Sequence, residues 1–286
     1  MPYGEHDCIF ISAMKAIITG GSGKAGRGAV AEMRQHGHEV LVVDKVKPVD
    51  ASVPFLSADL TDYGQVVDAL NGADAVAHLA AIPAPRLFPD AATFRNNMLS
   101  DYNVFLAASQ VGIKNVVWAS SETVLGLPFD TPPPYVPLDE EYPGRPESTY
   151  SLAKHLTETM AEQFCRWDSD LKIFGRRFSN VMEPHDYARF PSFDADPNIR
   201  RWNLWCYIDV RDAAQAVRLA LESKLKGAEV FVIANSDSVM SRTSADLMAE
   251  CFPGVPFMRD VAPNEALMSS DKAKSLLGFE PKHSWR

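Results

Sequence analysis

From Lys15 onward, short apolar runs alternate with segments whose apolar residues recur every three or four positions. "KAIITG" (15–20), "EVLVVD" (39–44), "VPFLSADL" (53–60), "DAVAHLAA" (74–81), "IKNVVWAS" (113–120), "LKIFGRRFSNV" (171–181) and "EVFVIAN" (229–235) read as strands. Their β-branched, almost unbroken apolar character suits strands covered on both faces. "GRGAVAEMRQHG" (26–37), 62–70, 91–111, 151–167 and "DVRDAAQAVRLALES" (209–223) read as helices, the first stopped by Gly37. Strands alternating with helices of this length predict βαβ units, and so an α/β fold with a doubly wound parallel sheet. Two segments break the rhythm: 183–206, rich in Pro and Trp, and the tail 237–286. Both follow the C-terminal ends of strands, where open α/β sheets bind ligands, and together they predict a small C-terminal substrate cap. The expected division is an extension at 1–13, a nucleotide-binding domain at 14–182, the cap at 183–206 and 237–286, and a return to the sheet at 207–236.

Length and charge narrow the picture. The 286 residues suit one large domain with a small appendage. A net charge of −9 argues against nucleic acid or an anionic membrane as partner, since both need a basic face. A small anionic ligand stays open, because it needs only local donors. No apolar run approaches the roughly 20 residues of a membrane span. "CIFISAM" has Glu5 and Asp7 ahead of it and leads straight into the first strand, so it does not read as a signal segment. Cys8, Cys165, Cys206 and Cys251 form no CxxC or Cys/His cluster, which predicts reduced thiols, a cytoplasmic protein and no metal site.

"TGGSGKAGRG" sets Gly20, Gly23 and Gly26 at G-x-x-G-x-x-G spacing between a strand and a helix. Glycines allow the tight turn and the approach of backbone amides to a pyrophosphate, and the helix N-terminus adds partial positive charge. Lys24 and Ala25 complete this expected cradle. Asp44 ends the second strand, where a carboxylate can accept from both ribose hydroxyls of NAD and repel a 2′-phosphate. Lys45 and Lys47 leave some room for NADP. Asp59 and Leu60 end the third strand, a place for an adenine contact. Leu79, Ala80 and Ala81 end the fourth with small residues that admit the cofactor. His78 lies inside an apolar strand and reads as a packed core histidine.

"TYSLAKHLTE" puts Tyr150 and Lys154 at i, i+4 on one face of a helix start. Free tyrosine, with a pKa near 10, is a poor base at neutral pH. A nearby ammonium and the cationic nicotinamide ring both favour the phenolate, and every tenfold gain in acidity corresponds to about 1.4 kcal/mol. Such a tyrosine can take a proton from an alcohol while hydride leaves for NAD.

With "TGGSGKAG", Asp44, "DL" (59–60), "HLAA", "SSETVLG", "YSLAK", "RRFSNV" and "YIDVRD" (207–212), the chain resembles an extended short-chain dehydrogenase/reductase of the NAD-dependent epimerase/dehydratase branch. The tail "SSDKAKSLLGFEPKHSW" resembles that branch's C-terminal helix and turn. The resemblance implies a Rossmann-type sheet and bound NAD. It implies that Ser121 hydrogen-bonds the reacting oxygen, that Tyr150 is the acid/base and that Lys154 holds the nicotinamide ribose and tunes Tyr150. Asn97 matches an asparagine that supports the active site, and Asn180 one that touches substrate or nicotinamide. The helices at 91–111 and 150–167 match those that form a homodimer in relatives.

The stretch "WASSETVLG" bears on the reaction. Dehydratases of this branch carry an Asp-Glu pair after the serine, whereas this chain has Glu122-Thr123, so elimination of water is not expected. Only about 25 residues separate Asn180 from Tyr207, a short segment that points to a substrate smaller than a nucleotide sugar. Short uronate dehydrogenases resemble this chain here, and their carboxylate-binding arginine matches Arg189, twelve residues after Arg177. A guanidinium gives bidentate carboxylate recognition that lysine cannot. Ser121, Glu122, Thr123, Asn180 and Arg189 are the expected substrate residues, though Glu122 would repel a uronate unless it faces hydroxyls. Trp202 and Trp205 read as cap packing, and "PPP" (132–134) as a stiff lid loop. The expected activity is NAD-dependent oxidation or reduction of a hydroxyl or carbonyl on a small sugar or sugar acid, with sugar epimerisation as the alternative.

Overall fold

The apolar runs pair into a seven-stranded parallel sheet of order β3-β2-β1-β4-β5-β6-β9. The computed structural model describes residues 12–286, so all but the end of the 1–13 extension lies outside the described residues. In chain order the elements are β1 (Lys15–Thr19), α1 (Lys24–Gln35), β2 (Glu39–Asp44), β3 (Phe55–Ser57), α2 (Tyr63–Leu70), β4 (Ala75–His78), α3 (Asp90–Gln110), β5 (Asn115–Ser121), α4 (Thr149–Trp167), β6 (Lys172–Phe178), β7 (Val181–Met182), α5 (Asn198–Arg201), β8 (Ile208–Asp209), α6 (Val210–Glu222), β9 (Gly227–Ile233), α7 (Ser244–Cys251) and α8 (Asp271–Leu277). From β1 the chain winds outward through β2 and β3, then returns to place β4 on the other side of β1. The crevice at that reversal, above the C-terminal ends of β1 and β4, is where such sheets take ligands.

Each face of the sheet is covered because its strands are apolar on both sides. Ala29, Val30 and Met33 of α1, Val217 and Leu221 of α6, and Leu277 of α8 close one face. Val66 and Leu70 of α2, Val104 and Phe105 of α3, and Ala161 and Phe164 of α4 close the other. Three strands are shorter than their apolar runs, and the run at 74–81 pairs only over Ala75–His78, which leaves Leu79, Ala80 and Ala81 beyond the strand and not at its end. The run at 53–60 pairs only over Phe55–Ser57, because the Asp59 carboxylate turns the chain by accepting from the Thr61 amide at 2.9 Å and its hydroxyl at 2.7 Å. Asp59 and Leu60 therefore sit beyond the strand, not at its end. The run at 171–181 leaves the sheet at Phe178, and Val181 and Met182 pair with β8 in a separate two-stranded sheet.

A third apolar cluster joins Phe190, Phe193, Leu204 and Trp205 to Leu247, Met248, Phe252 and Leu267 of the tail. It also takes in Val124, Leu127, Phe129, Val136 and Leu138 from the proline-rich loop. That loop bonds to the tail through Val136 N to Pro256 O (3.0 Å) and Leu138 N to Leu267 O (2.9 Å). It is thus a wall of the cap core rather than a free lid. Trp205 is fully buried and its indole donates to Pro197 O at 2.8 Å, as packing predicts.

The position of α4 rests on buried charge. Its inner stripe carries Tyr150, Lys154 and Glu158 at i, i+4 and i+8. Arg177 of β6 donates from Nε and Nη2 to the two Glu158 oxygens, both at 2.9 Å, and Ser120 of β5 donates to Oε1 at 2.6 Å. One carboxylate thereby ties the helix to two strands in a bidentate, desolvated geometry. Removing one partner leaves the other charge buried and alone. Glu158→Ala is expected to cost about 3–5 kcal/mol in urea unfolding; a loss under about 1 kcal/mol would show that the clamp does not hold α4.

Candidate active site

The glycine loop closes as its spacing predicts. Gly20 ends β1 at φ +68°, and a Cβ there would lie 2.6 Å from Ala80 N. A Cβ on Gly26 would meet Gly20 O at 2.0 Å. Gly23 begins α1 with no side-chain cap, whereas Asp62, Ser148 and Asp209 cap α2, α4 and α6. The first amides of α1 are therefore left for an external anion. Lys24, in the first turn, reaches the Asp186 carboxylate at 3.0 Å and Val181 O at 3.3 Å.

Asp44 lies at the end of β2 beside this loop. Its carboxylate accepts from Ser22 N and Val46 N, both at 3.1 Å, and so braces the turn a dinucleotide must enter. Lys45 pairs with Asp59 at 2.9 Å. The bonds from Thr61, together with Lys45, hold the Asp59 carboxyl down at about 2. Lys45 thus has an anionic partner of its own, which weakens its claim on a 2′-phosphate. Leu60 is buried, and its carbonyl accepts from Asn103 Nδ2 at 3.0 Å. Leu79, Ala80 and Ala81 are half-buried on the loop beyond β4. Asn97 clamps that loop, accepting from Ile82 N at 2.9 Å and donating to Ile82 O at 3.1 Å.

Ser121 is the last residue of β5, and its Oγ accepts from Thr123 N (3.2 Å) and Thr123 Oγ1 (3.0 Å). Tyr150 and Lys154 face it from the first turns of α4, 6% and 2% exposed. Tyr150 departs from expectation. Burial pushes its hydroxyl up to about 12, with the Asp101 and Glu122 charges adding to the rise and the Ser121 hydrogen bond opposing it. The neighbour that matters is Asp101 of α3, which pairs with Lys154 at 3.8 Å. An acid at i+4 from Asn97 on a buried helix face was the one sequence trace of it.

Glu122 points into the protein. It is 3% exposed, its Oε2 accepts from Ser179 Oγ at 2.6 Å, and its Oε1 accepts from Asn203 Nδ2 at 3.3 Å. Burial raises its carboxyl to about 7, against the Ser179 bond and the Arg200 charge. Arg200 donates to Asn180 Oδ1 and Cys206 O, both at 2.9 Å, and its guanidinium lies over Phe193 (5.6 Å) and Trp202 (5.0 Å). A cavity of about 230 Å³ opens here, with Lys24, Asn180, Asp186, Arg189 and Arg200 in its walls. Arg189 is exposed and, among the described residues, has no hydrogen bond or ion pair at its guanidinium. Sequence reasoning missed Arg200, Ser179 and Asn203, because their partner Glu122 lies 57 positions or more away in the chain.

A parallel sheet wound about its switch point, with a glycine cradle and a Ser-Tyr-Lys set at its rim, defines a Rossmann-type dinucleotide-binding protein. The chain belongs to the NAD-dependent epimerase/dehydratase family, whose profile matches residues 16–234. Its cofactor is NAD, and the uncapped α1 amides, the two glycines that admit no Cβ and the Asp44 carboxylate fit it. The UDP-glucose 4-epimerase of Corynebacterium glutamicum is 25% identical, over 95% of this chain and 92% of its own. The NAD-dependent glucose-6-phosphate dehydrogenase of Haloferax volcanii is 26% identical, over 93% and 92%. A solved UDP-galactose 4-epimerase superposes with a TM-score of 0.70 at 26% identity, over 95% of this chain and 94% of that one. A mutated uronate dehydrogenase, 23% identical with a TM-score of 0.68 over 95% and 82%, shares the fold.

The raised Glu122 carboxyl makes stability depend on pH. Between about 4.5 and 7 the folded chain keeps a proton that the unfolded chain has released. This contribution is therefore full below the lower value and lost as pH rises through the upper one. Glu122→Gln keeps a carbonyl acceptor without the charge. Relative to it, the parent is expected to lose on the order of 3 kcal/mol between pH 4 and 8, read from melting curves across that range. A parent and variant with parallel profiles would rule out the buried ionisation.

Proposed function

We propose that the protein is an NAD-dependent oxidoreductase that interconverts a hydroxyl and a carbonyl on a small sugar or sugar acid. The observation that carries this reading is the meeting of Ser121 and Tyr150, which share a hydrogen bond, with Lys154 one turn along the same helix. Bound NAD supplies the hydride acceptor or donor. The chain's own groups do the rest. Ser121 Oγ donates to the reacting oxygen, and Tyr150 Oη exchanges the proton with it. Lys154 holds the nicotinamide ribose, and Asn97 fixes the loop that flanks it. Asp44 takes the adenosine ribose, the glycine loop the pyrophosphate, and Asp59 and Leu60 border the adenine.

Arg189 and Asn180 are read as substrate ligands, and the free Arg189 guanidinium favours a sugar that carries an anionic group. Thr123 helps orient Ser121. Glu122, engaged with Ser179 and Asn203, is read as shaping the pocket from behind. The tail and 183–206 are read as the substrate cap. Leu99 and Tyr102 of α3, with Leu152 and Leu156 of α4, are 38–42% exposed and support a homodimer through these helices. Free Cys165, Cys206 and Cys251 support a cytoplasmic setting. No helix of the described residues is long and apolar enough to cross a membrane.

Epimerisation is the second reading, supported by relatives named as UDP-glucose 4-epimerases. The two part on the fate of hydride. Screening neutral sugars, sugar acids and sugar phosphates with NAD for absorbance at 340 nm is expected to give net NADH with an acidic substrate. Tightly retained cofactor and no net NADH with any class would favour the epimerase and reject the first reading. Tyr150→Phe is expected to lower kcat by at least about 100-fold. Arg189→Ala is expected to raise KM for the acidic substrate about 10- to 100-fold and to spare neutral sugars.

A further inference from the structure

A buried polar chain crosses the molecule behind the proposed catalytic pair. Asp101 is fully buried; its Oδ1 meets His78 Nε2 at 2.9 Å and its Oδ2 accepts from Thr157 Oγ1 at 2.8 Å. His78 Nδ1 lies 2.7 Å from Thr19 Oγ1, which accepts from Ala80 N at 3.3 Å. His78 thus bridges Thr19 and Asp101 through its two ring nitrogens. The remaining partner is Lys154, 3.8 Å from Oδ2, with its ammonium also 5.3 Å from the Trp118 ring.

We propose that Asp101 is a positioning residue of the catalytic set: a buried counter-ion that fixes Lys154 and governs how readily Tyr150 gives up its proton. Two charges act on Tyr150, Asp101 from α3 and Glu122 from the turn after β5, and Lys154 lies one turn along its own helix. Burial disfavours a charged Asp101, but Lys154, His78 and Thr157 outweigh it and keep the carboxyl below its ordinary range. Asp101 therefore stays anionic and opposes the phenolate twice, by repelling it and by neutralising the ammonium that would attract it. Its charge adds to burial, the larger cause, in keeping Tyr150 weakly acidic. Asp101 moves no proton to substrate; its effect passes through Lys154 and Tyr150.

The inference rests on Tyr150 as the acid/base, and its first test needs neither substrate nor cofactor. Tyrosinate absorbance at 295 nm is followed from pH 8 to 12.5 in cofactor-free protein, each form measured against its own Tyr150→Phe counterpart. Asp101→Asn removes the charge and keeps one of the two acceptor oxygens. It is expected to bring Tyr150 ionisation at least about one pH unit lower, a tenfold change in proton affinity. Thr157→Val removes a bond to the same oxygen but leaves the charge, and is expected to lower Tm without moving the ionisation. Asp101→Ser carries the same expectation as the Asn variant where that variant does not fold. Ionisation unchanged in the neutral variants, or shifted equally by Thr157→Val, overturns the proposal. Failure of Tyr150 as the acid/base shows separately, as turnover that survives Tyr150→Phe.

Discussion

The bidentate pair between Glu158 and Arg177 is the constraint on which the rest of the site depends. Tyr150 and Lys154 sit at the free end of a 19-residue helix, and an end alone is not well placed. Two turns further on, Glu158 fixes the same stripe to β5 and β6, and those strands end in Ser121 and lead to Asn180. The serine, the tyrosine and the substrate wall are thus measured from one carboxylate. Burying two charges costs several kcal/mol each before their attraction repays it. Such a pair adds little net stability, but it tolerates only one arrangement of helix and strands.

A second buried carboxylate acts on the other side of the site. Glu122 follows Ser121 directly and binds Ser179 beyond β6 and Asn203 beyond α5. Arg200, one helical turn from Asn203, carries the contact on to Asn180. The segment 183–206 is therefore joined to the sheet directly beside Ser121. Lys24 and Arg27 add a further seam, pairing with Asp186 and Glu183, both at 3.0 Å. Through Lys24 the glycine loop and the segment that carries Arg189 share one ion pair.

The sheet and the motifs were legible because their physics is local. An apolar run between a glycine turn and an amphipathic helix can hardly be anything but a strand of a parallel sheet. The pairing of Tyr150 with Lys154 follows from helix geometry alone. The ends of β3 and β6 were not legible, because apolar residues continue past the point where Asp59 turns the chain or where Asn180 binds β8. The charges behind the site were hidden for another reason. His78, Asp101 and Lys154 come from three elements, and no spacing in the sequence marks their meeting. Glu122 stood in plain view as a departure from relatives, but its direction was set by Ser179 and Asn203.

The alternation along α4 has a last consequence. Tyr150, Lys154 and Glu158 face inward, while Leu152 and Leu156, 40% and 38% exposed, face away from the sheet. Each residue turns a helix by about 100°. One residue gained or lost between Ser148 and Glu158 would carry the ion pair and the tyrosine to different sides of the axis. The length of this segment is therefore as fixed as the identity of any residue in it.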